Sequence, residues 1–364
     1  MTEKIGKIGK IEGIVDSDNT QRFDDDALHF DAAINPYGCS PRVVEAIEEF
    51  ARTRVYRFYG EPTAAVLRER WAARFDLAPD NFVVYNGAGE ALAWLFITHL
   101  VMRKGRLIAP SPSYERFIEA GRRVGAEVIE VPLEADSFAL PVERIIKAAR
   151  ENRATLGLIS NPNNPTGNIL LSREHLDRLL NEVPECLWIV DEAYADYAGI
   201  TFAPLVREHK NLVVLRTFSK AYGLAGLRVG AAIAHRSVAA PLAALRIPWC
   251  VNSLSLVAAC AALEDHAYLE ETVARIRHDC AEFGERLSEI SYLKIYPSAA
   301  NFFLLQLTVL NDEQRLKQRL IEDNMRVRSR PDMPGYIRVT SLLPQDNRRF
   351  LAVLREFEAH GEKV

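Results

Sequence analysis

Residues 213–230 read Val213-Val214-Leu215-Arg216-Thr217-Phe218-Ser219-Lys220-Ala221-Tyr222-Gly223-Leu224-Ala225-Gly226-Leu227-Arg228-Val229-Gly230. The apolar, β-branched opening predicts a buried strand. The glycine-rich end lets backbone approach a ligand or another backbone closely. Between them stands one lysine, preceded by the small hydroxyl residues Thr217 and Ser219. A solvated strand-end lysine is the plain reading of Ser-Lys alone. A lysine left in a buried setting is costly unless it is paired or chemically used. Burial lowers an amine's pKa, and a neutral amine attacks carbonyl carbon. Arg228, a little downstream, supplies a cation for an anion nearby.

Upstream, strands and helices alternate. Phe82–Tyr85 predicts a strand, Asn86-Gly87-Ala88-Gly89-Glu90 a turn, and Ala91–Leu100 a helix. Strand, glycine turn and helix together present free backbone N–H groups and a positive helix end to a phosphate. The full G-x-G-x-x-G dinucleotide pattern is absent, because Ala91 and Leu92 follow Glu90. Further strands are expected at Arg106–Ala109, Glu127–Val131, Thr155–Ser160 and Leu187–Val190, with helices over 141–151 and 172–181. Three of these strands run into notable loops: Pro110-Ser111-Pro112-Ser113-Tyr114, Asn161-Pro162-Asn163-Asn164-Pro165-Thr166-Gly167, and Asp191-Glu192-Ala193-Tyr194. Such alternation predicts an α/β fold with a mostly parallel sheet and a ligand at the carboxyl ends of its strands.

The flanks are less regular. Residues 1 to about 27 are polar and without periodicity, which suggests a loose arm. Asn35-Pro36 followed by Gly38 signals a turn. A helix is expected over 41–51 and another over 64–73. A long helical region should run from about Leu254 to Ile290, its persistent apolar face bridging two domains. A strand at 293–296 and a closing helix at 346–356 complete the reading. Arg338 lies inside the apolar run Tyr336-Ile337-Arg338-Val339-Thr340, so burial would give it need of an anion.

Composition narrows the function classes. The chain has 364 residues, 48% hydrophobic and 26% charged, with a net charge of −4. Those values suit a globular enzyme of one large or two intimate domains and give no basic stripe for nucleic acid. No apolar run approaches the ~20 residues of a membrane span. The five cysteines are odd in number, scattered and never spaced C-x-x-C, which points to reduced thiols in a cytoplasmic setting rather than disulfides or zinc.

From about Leu28 to Arg355 the chain resembles the fold-type I enzymes dependent on pyridoxal 5'-phosphate (PLP). Among these it is most similar to the branch holding histidinol-phosphate aminotransferase and threonine-phosphate decarboxylase. The resemblance rests on the Ser219-Lys220 segment, the Asn161–Gly167 heptamer, Asp191-Glu192-Ala193-Tyr194 and Arg338. It implies an aspartate aminotransferase-like fold: a large PLP-binding domain over 41–253, a small C-terminal domain over 254–364, and an arm with part of the small domain over 1–40.

The resemblance also implies roles. Lys220 is the Schiff-base lysine and later the general base. Asp191 keeps the pyridine nitrogen protonated, while Asn164 and Tyr194 touch the phenolic oxygen. Tyr114 stacks on the ring. Ala88, Gly89, Ser219 and Arg228 hold the cofactor phosphate, joined by Tyr59, which reaches across a homodimer into the other subunit's site. Arg338 takes the substrate's carboxylate or phosphate. Arg328 takes a distal anion, and Asn35 lines the substrate cleft; Asn301 is a further residue facing it.

The reaction implied is transfer of an amino group from an amino acid or phosphorylated amine to an oxo acid. Decarboxylation is the alternative, since the two differ in which α-bond stands perpendicular to the ring. Ala32-Ala33-Ile34-Asn35-Pro36 and Pro248-Trp249-Cys250-Val251-Asn252 are nearer the decarboxylase pattern. The branch's early His-Gly-Gly segment has no counterpart, as no histidine precedes His29, and no tyrosine precedes Tyr37. The substrate therefore stays open. A non-catalytic binding module would be favoured by loss of the lysine or the aspartate, and both are present. A nicotinamide oxidoreductase is disfavoured by the missing fingerprint.

Overall fold

The computed structural model describes residues 26–308 and 313–361. Residues 1–25, most of the expected arm, lie outside the described residues.

A seven-stranded sheet forms the larger layer. Its spatial order is Phe82–Tyr85, Gly230–Ala234, Leu212–Thr217, Leu187–Asp191, Leu156–Ser160, Arg106–Ser111 and Glu127–Pro132. Six strands run one way; Gly230–Ala234 alone runs against both of its neighbours. The four strands over 156–160, 187–191, 212–217 and 230–234 are buried throughout. That is why they read as unbroken apolar runs instead of alternating ones. Gly157 is required beneath its neighbour: a Cβ there would stand 2.2 Å from the Trp188 ring.

Helices cover both faces. Ala88–Phe96 packs on one side through Leu95 against Leu158 and Ile189; Val142–Glu151 and Arg173–Glu182 pack on the other through Ile145, Leu176 and Leu179. The helix after the first glycine turn begins at Ala88 rather than Ala91, because Gly87, at φ +86°, turns the chain directly into it. Its far end loosens into a π-helical turn over Ile97–Val101.

A second sheet is antiparallel, in the order Arg328–Ser329, Tyr336–Thr340, Phe302–Leu307, Leu293–Ile295. Helices His266–Ser288 and Pro344–Gly361 close over it, with Phe30 packed 4.5 Å from Phe350 and 6.5 Å from Phe283. The long helical region is two helices, Ser253–Glu264 and His266–Ser288, interrupted at Asp265. Asp265 stops the first and caps the second, accepting from the Tyr268 N–H while Ser40 donates to its carboxylate. The apolar face runs through the break, so periodicity alone could not show it.

Leu28–His29 pairs in parallel with Met325–Arg326. The Thr340 N–H donates to the Phe30 carbonyl at 2.7 Å, and the Ala33 N–H to Thr340 Oγ1 at 2.9 Å. These bonds carry the early segment past the second sheet to the carboxyl ends of the first. No helix among the described residues is long and apolar enough to cross a membrane.

Candidate active site

Strand register sets the site. Ser160 pairs with Asp191, and Asp191 with Leu215. The loops after Tyr85, Ser111, Ser160, Asp191 and Thr217 therefore leave the sheet at one edge, where they line a cleft of about 660 Å³. Segment 31–34 and the second sheet's Arg328 and Arg338 form the remaining wall.

Lys220 opens onto this cleft. The residue keeps part of its surface, yet the protein packs densely around Nζ, which lies 3.4 Å from the Ala32 carbonyl and 5.4 Å from the Tyr194 ring centre. Burial, reinforced by the charge of Arg338, pulls the amine down to about 7; the opposing pull of Asp191 does not restore it. Asp191 ends its strand, accepting from the Ala193 N–H at 3.2 Å and Ser160 Oγ at 3.4 Å. Burial raises its carboxyl to about 6 despite those bonds and the charges of Lys220 and Arg216. Tyr194 is buried against Phe302, rings 5.0 Å apart and nearly perpendicular, and burial raises its hydroxyl well above the usual range.

The Asn161–Gly167 heptamer divides its work. Asn161 accepts from the Leu170 and Leu171 N–H groups, and Asn163 donates to the Pro112 carbonyl and to Thr166. Both hold loops together. Asn164 alone of the three asparagines lines the cleft, accepting from Arg338 Nη1 at 2.9 Å.

Two arginines in the cleft have no carboxylate within ion-pair distance among the described residues. Arg228 donates to Ser219 Oγ at 3.3 Å and to the Ala225 carbonyl at 3.0 Å. It lies against Gly87, where a Cβ would come within 2.6 Å of its Nη2. Ala88 and Gly89, at the start of their helix, line the same corner. Gly87 has no side chain to cap that end, so first-turn N–H groups remain for an anion. Arg338 donates to Asn164 and to the Asp31 carbonyl, lies 5.0 Å from the Phe302 ring centre, and keeps a buried Nε without partner. Burial lowers its pKa, which marks a cation short of negative charge.

Arg328 is placed differently. It lines the cleft but is already paired with Glu115, whose second oxygen lies 3.3 Å from Arg330 Nη1. Tyr114 occupies the N-cap position of the helix Glu115–Arg123, its ring 4.8 Å from Phe117, edge to face. Glu115 and Arg330 carried no assignment from sequence. The available signal was a charged residue directly after the loop aromatic.

Three expected residues lie elsewhere. Asn35 donates to the Ala221 carbonyl and accepts from the Tyr37 N–H, both at 2.8 Å, so its amide braces a turn while Ile34 faces the cleft. Asn301 likewise donates to the Ile34 carbonyl, which places it behind that wall. Tyr59 is 84% exposed and outside the cleft of its own chain, its ring 5.1 Å from that of Trp249.

The donor set fits the cofactor that the resemblance implies. It offers an amine of lowered pKa, a buried carboxylate, an aromatic wall at Tyr114, and an unpaired guanidinium beside helix-end N–H groups.

Residues 25–354 match the family described as aminotransferase class I and II. A histidinol-phosphate aminotransferase of Symbiobacterium thermophilum is 35% identical over 335 residues, covering 90% of this chain and 89% of that protein. A solved histidinol-phosphate aminotransferase from Sinorhizobium meliloti, in complex with pyridoxal-5'-phosphate, is 24% identical with a TM-score of 0.81, covering 91% of this chain and 92% of that one. A solved L-threonine-O-3-phosphate decarboxylase from Porphyromonas gingivalis is 28% identical with a TM-score of 0.79, covering 91% and 99%.

Proposed function

The chain belongs to the aminotransferase class I and II family, and from that premise we propose that it moves an amino group from an amino acid or phosphorylated amine to an oxo acid, using pyridoxal 5'-phosphate. The observation that carries this reading is the pair of Lys220, lowered to about 7, and Asp191, raised to about 6, on the wall of one cleft with Arg338. The relatives named histidinol-phosphate aminotransferase support a substrate of that kind.

Pyridoxal phosphate, when bound, supplies an electrophilic carbon for the amine and a conjugated ring that takes up the charge left when the α-proton departs. Lys220 would hold it at Nζ, and the same nitrogen would take up the α-proton and return it. The amine is half neutral near pH 7, so it accepts a proton without a large penalty and gives it up again. Asp191 would hold the proton of the ring nitrogen. Arg228, Ser219 and the N–H groups of Ala88 and Gly89 would hold the phosphate. Tyr114 would cover the ring, with Tyr194 and Asn164 as polar partners for its phenolic oxygen. Arg338 takes the substrate's carboxylate or phosphate, meeting its missing partner. Arg328, paired with Glu115, forms part of the cleft wall, and Asn35 braces that wall from behind through Ala221.

A homodimer fits the exposed apolar group of Phe58, Tyr59, Ile247 and Trp249. In it Tyr59 gives its hydroxyl to the partner subunit's cofactor phosphate. We divide the chain as 1–40, arm and part of the small domain; 41–253, the large domain; and 254–364, the small one. Five unpaired cysteines suit a cytoplasmic enzyme of amino-acid biosynthesis.

The test is spectroscopic. Purified protein with cofactor absorbs as a yellow species, and histidinol phosphate or a single amino acid should bleach it to the pyridoxamine form. Gas release with the colour unchanged would favour decarboxylation, the second reading, which the Porphyromonas gingivalis likeness supports. No chromophore in any preparation would end both.

A further inference from the structure

Strand Leu156–Ser160 is apolar or glycine at its first four positions and ends in a hydroxyl. Ser160 is 1% exposed and is not among the residues that line the cleft. Its side chain has one hydrogen-bond partner among the described residues, Asp191 Oδ2 at 3.4 Å. Asp191 is bonded to no other side chain among those residues; its second oxygen accepts from the Ala193 N–H at 3.2 Å. The backbone fixes this arrangement. Ser160 and Asp191 are register partners in adjacent parallel strands, so their side chains leave the sheet on the same face. The next residue, Asn161, donates its N–H to the Asp191 carbonyl at 2.8 Å. Packing alone would be served by alanine, which has no polar group to bury. A buried hydroxyl is unfavourable unless it is bonded, and here the bond goes to one carboxylate.

We propose that Ser160 is a positioning residue for the reaction, acting through Asp191 by holding that carboxylate in place and in its charged form. The inference rests on the reading above and deepens it. Ser160 touches neither the cleft nor anything bound there, so any influence it has on turnover must pass through Asp191. One donor on each oxygen sets the plane of the carboxylate. A hydrogen bond to the charged form also favours that form, and the effect is larger where water is excluded. Burial raises Asp191 to about 6, and the Ser160 hydroxyl is one of the two donors that oppose the rise. Without it Asp191 would keep a proton at neutral pH, offering a donor where the proposed function needs an acceptor.

The test reads Asp191 itself. In the full-length, cofactor-free protein with isotope-labelled aspartate carboxyls, the Asp191 signal is identified by its loss in Asp191→Asn. It is then followed by NMR against pH in wild type, Ser160→Ala and Ser160→Cys. Ser160→Ala should move the midpoint up by about one pH unit. Ser160→Cys, whose thiol is a weaker donor, should move it less. In the cofactor-loaded enzyme kcat should fall about threefold to tenfold in Ser160→Ala, with KM for the amine nearly constant. A change of packing alone would lower the thermal midpoint and leave the Asp191 titration where it was. A midpoint that moves down or stays within about 0.2 pH units of wild type, or an unaltered kcat in the loaded enzyme, overturns the proposal. If Ser160→Ala does not fold, Ser160→Cys decides by the same criteria. A raised midpoint in a protein that takes up no cofactor keeps the hold of Ser160 on Asp191 and removes the aminotransferase reading alone.

Discussion

Asp191 and Glu192 are consecutive buried carboxylates at the end of one strand, and they live in opposite circumstances. Glu192 accepts from the Phe202 N–H at 2.5 Å and Thr201 Oγ1 at 2.6 Å, and pairs with buried Arg216 at 3.3 Å; Arg216 also pairs with Asp196 at 2.5 Å. Asp191 has only two long hydrogen bonds, and the lysine that opposes it across the cleft has lost much of its own basicity. One cluster is closed and structural. The other is left short of partners, and that shortage is what makes it useful for chemistry. Unsatisfied charge also separates Arg338 from Arg328 on the neighbouring hairpin.

Substitutions can break this contrast. The largest effect is expected from Lys220→Ala, which should lower turnover on the order of 10²–10⁴-fold by removal of the base alone, with further loss from weaker cofactor retention. Steady-state assays with excess cofactor measure it. Next is Arg216→Met in the closed cluster. It strands Glu192 and Asp196, so it should cost about 3–5 kcal/mol in denaturant unfolding. Unaltered stability there would show that the closed cluster is not structural.

Arg338→Ala should raise KM for the amine roughly 10- to 100-fold through loss of a charge-assisted bond, with a smaller effect on kcat. The smallest effect is on stability at Asp191. Without cofactor, its folded pKa of about 6 stands above the ordinary 3.8. Folding then favours the protonated carboxyl, so this residue's contribution falls as pH rises from about 3.8 to about 6 and stays low above that. Asp191→Asn should therefore stabilise the cofactor-free protein by about 1–3 kcal/mol at pH 7 and flatten that pH dependence, while weakening catalysis. Lost stability would mean that Asp191 is satisfied like Glu192.

Much of this was legible in the sequence, for identifiable reasons. Fully buried strands appear as continuous apolar runs, and the loops at their carboxyl ends carry Gly87, Asn164, Asp191 and Lys220 in order. Residues acting through backbone position are easily found in that way. Charge pairing was not legible, because it depends on which side chains meet across more than 200 positions, as Glu115 and Arg328 do. Asn35 shows the same limit: a polar residue in a turn near a cleft turned out to brace Ala221. The break at Asp265 escaped because its cap is supplied by a carboxylate whose partner, Ser40, lies far away in the chain. Tyr59 is exposed in this chain, and only the proposed homodimer gives it a role.

The central claim is that the ε-amine of Lys220 bonds to the cofactor aldehyde. Borohydride reduction of the yellow protein, followed by proteolysis and mass mapping, tests it most directly. The account predicts a reduced pyridoxyl adduct on the peptide containing Lys220 and none in Lys220→Ala. An adduct confined to another lysine, or no adduct from a coloured protein, would contradict it.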